Sequence, residues 1–262
     1  MDDFIDKIIE GDCLEVMKHI PSEIADMVFF DPPYFLQLPE KKKLIRWEVK
    51  TEVESPEERW DRFSSFREYD ELIIGVLEEV KRLMKPKATI WAIGTYHNIF
   101  RIGKIMQDLG YWILNDVIWF KTNPMPNWLN VRLTNATETL IWAVKDKGVK
   151  GYTYNYKVAR ELSNSKIALN VWQIPICMGR ERLKEGRRRL HPTQKPEELM
   201  RRIILISTKP GDLVLDPMAG TGTTGYVAKK LGRHFILIEK EKKYVEAAKK
   251  RLGLVLENYI QT

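Results

Sequence analysis

The sequence predicts an α/β fold, a mostly parallel sheet of seven strands with helices on both faces. Short β-rich runs recur along the chain, several of them apolar without alternation, as expected of strands covered on both sides. Amphipathic stretches with helical spacing lie between them, and strands alternating with helices build parallel sheets. Near the C-terminal end a strand, a glycine-rich turn, a helix and a second strand follow one another directly.

The elements come in this order. "KIIEGD" (Lys7 to Asp12) and "MVFFD" (Met27 to Asp31) are the first strands. Phe66 to Met84 carries Leu72, Ile73, Val76, Leu77, Val80 and Leu83 at helical spacing and stops before Pro86. Strands follow at "ATIWAIG" (Ala88 to Gly94), "WILNDVIWF" (Trp112 to Phe120) and "TLIWAVK" (Thr139 to Lys145). Helices are expected at Glu197 to Ser207, Thr223 to Leu231 and Lys242 to Leu252, with strands "LVLD" (Leu213 to Asp216) and "FILIE" (Phe235 to Glu239) among them. Two stretches do not fit. Phe35 to about Ser65 is charged, holds Trp47 and Trp60, and has no clear period, as lids and binding loops often do. Lys147 to about Leu190 interrupts the alternation and is read as an inserted recognition region.

Composition narrows the class. The 262 residues are 44% hydrophobic and 30% charged, the balance of a soluble globular protein. No apolar stretch approaches a membrane span, and the acidic start "MDDFIDK" is wrong for a signal peptide. Cys13 and Cys177 imply no disulfide framework, so a reducing cytoplasm is expected. Four scattered histidines show no metal-ligand spacing, so no metal is expected. The net charge of +7 permits a polyanionic partner, and basic clusters stand at Pro39 to Trp47 and Gly179 to Lys195. Taken singly, each is better read as a solvated loop; eight tryptophans and ten tyrosines beside them add the stacking rings that hold unstacked nucleic acid.

Two Asp-Pro corners carry the chemistry. In "LVLDPMAGTGTTGYVAKKLGRHFILIEKE", Gly220 and Gly222 allow a tight turn, and Glu239 stands where a carboxylate grips ribose in dinucleotide folds. There is no Gly-Lys-Ser/Thr of a Walker loop, and Asp216 would repel a pyrophosphate. A phosphate-free cofactor with an ammonium and a sulfonium, S-adenosylmethionine, removes that objection. The alternative is that Asp216 only caps its own loop. A dinucleotide oxidoreductase is disfavoured for the same reason. Because this unit lies at the C-terminal end, the remaining strands come from the N-terminal part, in permuted order.

The other corner, "DPPY" (Asp31 to Tyr34), suits methylation of an exocyclic amine. The lone pair of adenine N6 or cytosine N4 is delocalised into the ring. Acceptors on both amine protons localise it, and Asp31 and the Pro32 carbonyl can supply them, with φ locked at each proline. Tyr34 can stack on a base that has left the duplex. A rigid turn with Tyr34 as packing explains the same four residues.

With "DPMAGTGTT" downstream, "DPPYFLQL", "WDRFSSFREYD", "GTYHNIFRIG", "DLGYWILNDVIWFKTNPMPN", "NATETLIWA" and "HPTQKPEELMRRIILISTKPGDLVLDP" resemble the permuted, beta-group amino-methylating DNA methyltransferases. The resemblance is to the cell-cycle-regulated adenine-N6 methyltransferase and its GANTC restriction-modification relatives, from about Lys7 to Leu252. It implies a Rossmann-like methyltransferase sheet. It makes Asp31, Pro32, Pro33 and Tyr34 catalytic, and Asp12, Cys13, Thr193, Lys195, Asp216, Ala219, Gly220, Gly222, Thr223 and Glu239 cofactor-binding. Asp12 would meet the cofactor adenine, and Thr193 and Lys195 its methionine end. Asn123, Asn127, Arg180, Arg182, Arg187 and Arg188 are the DNA-binding candidates. Residues 1-146 and 191-262 become the catalytic and cofactor halves, with 147-190 the inserted recognition region. The implied partners are double-stranded DNA, with room for a cognate restriction endonuclease and a homodimer. These relatives carry a further C-terminal domain, which is expected to be missing from a chain ending at Thr262. Cytosine-N4 methylation and a non-catalytic DNA-binding protein of the same fold are the alternatives.

Overall fold

A computed structural model of the chain describes residues 3–36, 41–46, 49–54, 61–127, 131–186 and 188–254. The strands in chain order are β1 (Lys7–Glu10), β2 (Ala25–Phe30), β3 (Lys41–Arg46), β4 (Val49–Glu54), β5 (Met84–Gly94), β6 (Trp112–Lys121), β7 (Thr137–Val144), β8 (Val171–Ile174), β9 (Lys184–Glu185), β10 (Arg188–Arg189), β11 (Leu213–Asp216) and β12 (His234–Glu239). The helices are α1 (Cys13–Lys18), α2 (Phe66–Leu83), α3 (Ile99–Asp108), α4 (Tyr156–Leu162), α5 (Glu197–Ser207), α6 (Thr223–Lys230) and α7 (Lys242–Leu252).

Eight strands form the main sheet, in the order β1-β12-β11-β2-β5-β7-β6-β8. Neighbours are parallel except at β7, which runs against both β5 and β6. This is a Rossmann-like α/β sheet. The C-terminal pair β11 and β12 lies between the N-terminal β1 and β2, which is the permuted order written in space.

The apolar runs are explained by their two faces. In β2, Val28 and Phe30 join the core under α1, α2 and α3, while Met27 and Phe29 join the core under α5, α6 and α7. Both faces are dry, so both alternating sets are apolar. Tyr69, Ile73, Val76, Leu77, Val80 and Leu83 form the buried stripe of α2, whose first turn is capped by Ser65 accepting from the Glu68 amide.

All seven expected strands are in place. The eighth, β8, comes from the stretch read as an insertion and pairs with β6, and α4 of the same stretch packs on α5. Part of Lys147 to Leu190 is therefore integral to the main sheet and its helical layer. Phe35 to Ser65 is also not structureless, since β3 and β4 pair antiparallel from Lys41↔Glu54 to Arg46↔Val49. Trp47 and Trp60 lie outside the described residues. β5 begins at Met84 and passes through Pro86, where the register against β2 shifts between Ala25 and Met27; such an irregularity tolerates a residue without an N–H. No described helix is long and apolar enough to cross a membrane.

Candidate active site where the two Asp-Pro corners meet

β11 and β2 are neighbours, and the chain leaves them in opposite directions, β11 toward β12 and β2 toward β5. The crevice at such a reversal is where open α/β sheets bind ligands. Asp216 ends β11, and Asp31 follows the last residue of β2, so adjacent parallel strands deliver both Asp-Pro corners to one edge. They line a cavity of about 390 Å³, within the range of small-ligand pockets.

Of the expected cofactor residues, Asp12, Cys13, Thr193, Lys195, Asp216, Ala219, Gly220, Thr223 and Glu239 line this cavity, and so do Asp31, Pro32, Pro33 and Tyr34. Gly222 lies behind the wall as the left-handed N-cap of α6, at φ 73°. A Cβ there would stand 2.8 Å from the Ala248 Cβ, so the turn requires glycine twice over.

Asp216 is nearly inaccessible. One carboxylate oxygen accepts from the Met218 amide at 3.1 Å and the other from the Thr224 hydroxyl at 2.6 Å. The loop-capping role is therefore real. It does not exhaust the group, because a carboxylate offers about four acceptor positions. Burial pushes its pKa up to about 7, the two hydrogen bonds opposing and Asp31 and Glu239 adding to the rise. Glu239 takes the Gly220 amide at 2.8 Å and the Glu241 amide at 2.7 Å, which orients its carboxylate at the rim.

Asp31 has two different oxygens. Oδ2 pairs with the Lys195 ammonium at 2.7 Å, while Oδ1 is buried and carries no hydrogen bond. Burial raises the Asp31 pKa and Lys195 opposes the rise. Burial alone would lower that of Lys195, but Asp31 and Glu138 outweigh it and hold it above its ordinary value. Lys195 thus sits on the Asp-Pro-Pro-Tyr corner as well as on the cavity wall. The corner is braced from outside: the Pro33 carbonyl accepts from the Tyr69 hydroxyl at 2.9 Å and the Asn98 amide at 3.2 Å. Asp61 takes the amides of Phe35 and Leu36, and Phe35 has a left-handed φ of 51°. A phenylalanine in that conformation is held by its surroundings.

The sequence left Asp61, Tyr69, Asn98, Glu138 and His191 out of the site. His191 packs above Gly220, its Nδ1 accepting from the Thr193 amide, and burial pushes its pKa down to about 3. His191 lies in "HPTQK", Asp61 and Tyr69 in "WDRFSSFREYD", Asn98 in "GTYHNIFRIG" and Glu138 in "NATETLIWA", all stretches that carry the resemblance, but nothing in those stretches singles out these side chains.

The DNA candidates lie apart from the cavity. The Asn123 side chain joins the 174–178 turn, accepting from the Ile176 amide at 2.8 Å, and the Asn127 side chain donates to the Arg132 carbonyl at 2.7 Å. Arg180 and Arg188 are exposed. Arg182 is partly enclosed, its Nε buried, beside Cys177 and Glu181. Arg187 lies outside the described residues.

The cavity lies at the reversal point of a Rossmann-like sheet, with a glycine turn beneath it and a wall rich in acidic groups. The wall fits S-adenosylmethionine on its own chemistry: Asp12, Asp31, Asp61, Asp216, Glu239 and Glu241 give it six carboxylates against two lysines, Lys195 and Lys240, and the glycine turn itself carries no phosphate-cradling lysine. Residues 25–250 match the DNA methylase family, and the chain belongs to it. It is 48% identical over 259 residues to the Type II methyltransferase M.HinfI of Haemophilus influenzae, covering 98% of this chain and 71% of that one. It is 40% identical over 245 residues to the Type II methyltransferase M2.DpnII of Streptococcus pneumoniae, covering 94% and 88%. The crystal structure of an M1.HpyAVI–SAM complex superposes with a TM-score of 0.67 at 28% identity, covering 94% of this chain and 98% of that one. The cytosine-N4-specific PvuII DNA methyltransferase shares the fold, with a TM-score of 0.70 at 23% identity, over 97% and 87%. The protein is a DNA methyltransferase that uses S-adenosylmethionine.

Proposed function

We propose that this chain methylates adenine N6 in double-stranded DNA, at a GANTC-like site, on a base turned out of the duplex. The observation that carries this is the buried Asp31 Oδ1 without a hydrogen bond, at the cavity shared by both Asp-Pro corners. A buried carboxylate oxygen without a donor costs free energy, and an exocyclic amine supplies the donor. Asp31 and the Pro32 carbonyl take the two amine protons, so that the nitrogen lone pair is localised for in-line attack. Tyr34 offers its ring to the base. S-adenosylmethionine supplies an electrophilic methyl on a sulfonium.

The other residues have matching tasks. Glu239 takes the ribose hydroxyls, Asp216 faces the cationic end, Gly220 and Gly222 let the backbone approach, and Asp12 meets the adenine. Arg180, Arg188 and the Asn123 and Asn127 loop meet the duplex. An aspartate at position 31 and the GANTC-type motifs support adenine over cytosine. The same reading extends to a restriction-modification setting in the cytoplasm, with a homodimer and a cognate nuclease as expected partners. It also keeps residues 1-146 as the catalytic half, 191-262 as the cofactor half and 147-190 as the recognition region, with β8 and α4 of that region also completing the main sheet and its helical layer.

Incubation with methyl-labelled S-adenosylmethionine and mixed-sequence DNA, followed by nucleoside analysis and site mapping, should return N6-methyladenine in GANTC-like contexts. N4-methylcytosine would overturn the choice of base. Asp31→Ala should slow transfer by at least about 10²-fold while cofactor binding persists, and normal turnover would refute the role of Asp31.

A further inference from the structure

The least expected partner of the catalytic corner is Glu138. The Tyr34 hydroxyl donates to Glu138 Oε2 at 2.9 Å, and both residues are buried. The other carboxylate oxygen pairs with Lys121 at 2.8 Å. Lys195 closes the ring of contacts, lying 3.9 Å from Glu138 and 2.7 Å from Asp31, with its ammonium 4.9 Å from the centre of the Tyr34 ring. Two acids and two lysines thus form one neutral cluster around the tetrapeptide.

Topology explains how Glu138 arrives there. β7 is antiparallel to β5 and β6, so its first residues stand at the sheet edge where β2, β5 and β11 end. Thr139 pairs with Gly94 at the end of β5, and Glu138 pairs with Trp119 near the end of β6. Glu138 does not line the cavity, so any effect on the reaction passes through Tyr34 or Lys195.

We propose that Glu138 is a positioning residue for methyl transfer: it anchors Tyr34 by its hydroxyl and shares Lys195 with Asp31. The proposal rests on the reading of Asp31 and Tyr34 as the groups that meet the target base. A tyrosine ring held at its para oxygen cannot swing about χ1, so its face keeps one plane for stacking. Sharing Lys195 divides that lysine's attraction between two carboxylates, so that it holds Asp31 less tightly and leaves the carboxyl freer to accept from the amine. A purely structural Glu138 would need only Lys121. Its second oxygen is instead given to the catalytic tyrosine.

The test compares Glu138→Ala, Glu138→Gln, Tyr34→Phe and the double variant Tyr34→Phe/Glu138→Ala. Single-turnover rate at saturating DNA, S-adenosylmethionine affinity and melting temperature are measured for each. Glu138→Ala should slow the single turnover by about 10²-fold, the scale of a small misplacement, with cofactor affinity near wild type. Glu138→Gln, whose amide oxygen can still accept from Tyr34, should recover about tenfold of that loss. Tyr34→Phe leaves the ion pairs of Glu138 intact and should slow turnover about tenfold by itself. The double variant should be no slower than Glu138→Ala, because the same bond is lost only once.

Equal loss in the Ala and Gln variants, multiplying losses in the double variant, or a loss confined to cofactor affinity would overturn the proposal. Should Glu138→Ala fail to fold, Tyr34→Phe and Glu138→Gln still decide: a Tyr34→Phe enzyme at the wild-type rate refutes the anchor. The base that the wild-type chain modifies tests the adenine reading. The ratios among variants, taken on whichever base that is, test Glu138 separately.

Discussion

Asp216 shows what it costs to place an acid under a glycine turn. The group is 2% exposed, and burial lifts its pKa from the ordinary 3.8 to about 7. An acid with a raised folded pKa binds its proton more tightly in the native state than in the unfolded one. The native state therefore loses stability as pH rises from about 4 to about 7, by up to about 4 kcal/mol at about 1.4 kcal/mol per unit. Asp216→Asn escapes that loss, so its melting temperature should exceed wild type by more at pH 8 than at pH 5. Its affinity for S-adenosylmethionine should fall. An equal difference in melting temperature at both pH values would refute the buried-acid account. The same residue illustrates what a local pattern conveys. "DPMAGTG" announces a corner and its acid, but not that Thr224 and the Met218 amide hold that acid. Glu138 lies further out of reach, meeting Tyr34 across 104 positions of chain, and nothing in "NATETLIWA" marks its glutamate as the partner of that tyrosine.

Among the elements, the turn from β11 into α6 is doubly constrained. Gly222 combines a left-handed φ of 73° with a Cβ position 2.8 Å from the Ala248 Cβ on α7. Gly222→Ala should lower stability by about 1–3 kcal/mol, the scale of one strained backbone position. Denaturant unfolding measures this directly. Weaker cofactor binding should accompany it, since α7 also carries Tyr244 on the cavity wall. An alanine variant of wild-type stability would mean that the turn relaxes without cost. The strands of the main sheet with long apolar runs were legible because both of their faces are dry. β8 was not: "VWQI" is short, alternates between exposed and buried positions, and gains its ladder only by meeting β6. The pairing of β3 with β4 escaped for a similar reason, as "KKKLIR" and "VKTEVE" are rich in charge and hold no long apolar run. α1, at six residues, is too short to show a period, yet Asp12 caps it through the Leu14 amide.

At the scale of the whole molecule, charge decides how the substrate is approached. A net charge of +7 and exposed arginines at positions 180 and 188 predict DNA binding that weakens steeply with salt, as phosphate contacts release counterions. Arg180→Ala and Arg188→Ala should each reduce the slope of log affinity against log salt by about 1. A slope that neither variant changes would place the duplex elsewhere. Periodicity and composition were enough to establish the α/β class, the permuted order and the two Asp-Pro corners, because those depend on local pattern and on glycine and proline geometry. Which groups surround the corners was decided only in three dimensions. Strand order set Asp31 beside Asp216, and the reversed direction of β7 brought Glu138 and Lys121 to the same edge. Lys195, expected at the cofactor, lines that cavity and also pairs with Asp31, because a buried ammonium and a partly buried carboxylate compensate each other. Such compensation depends on distance through space, which spacing along the chain does not encode.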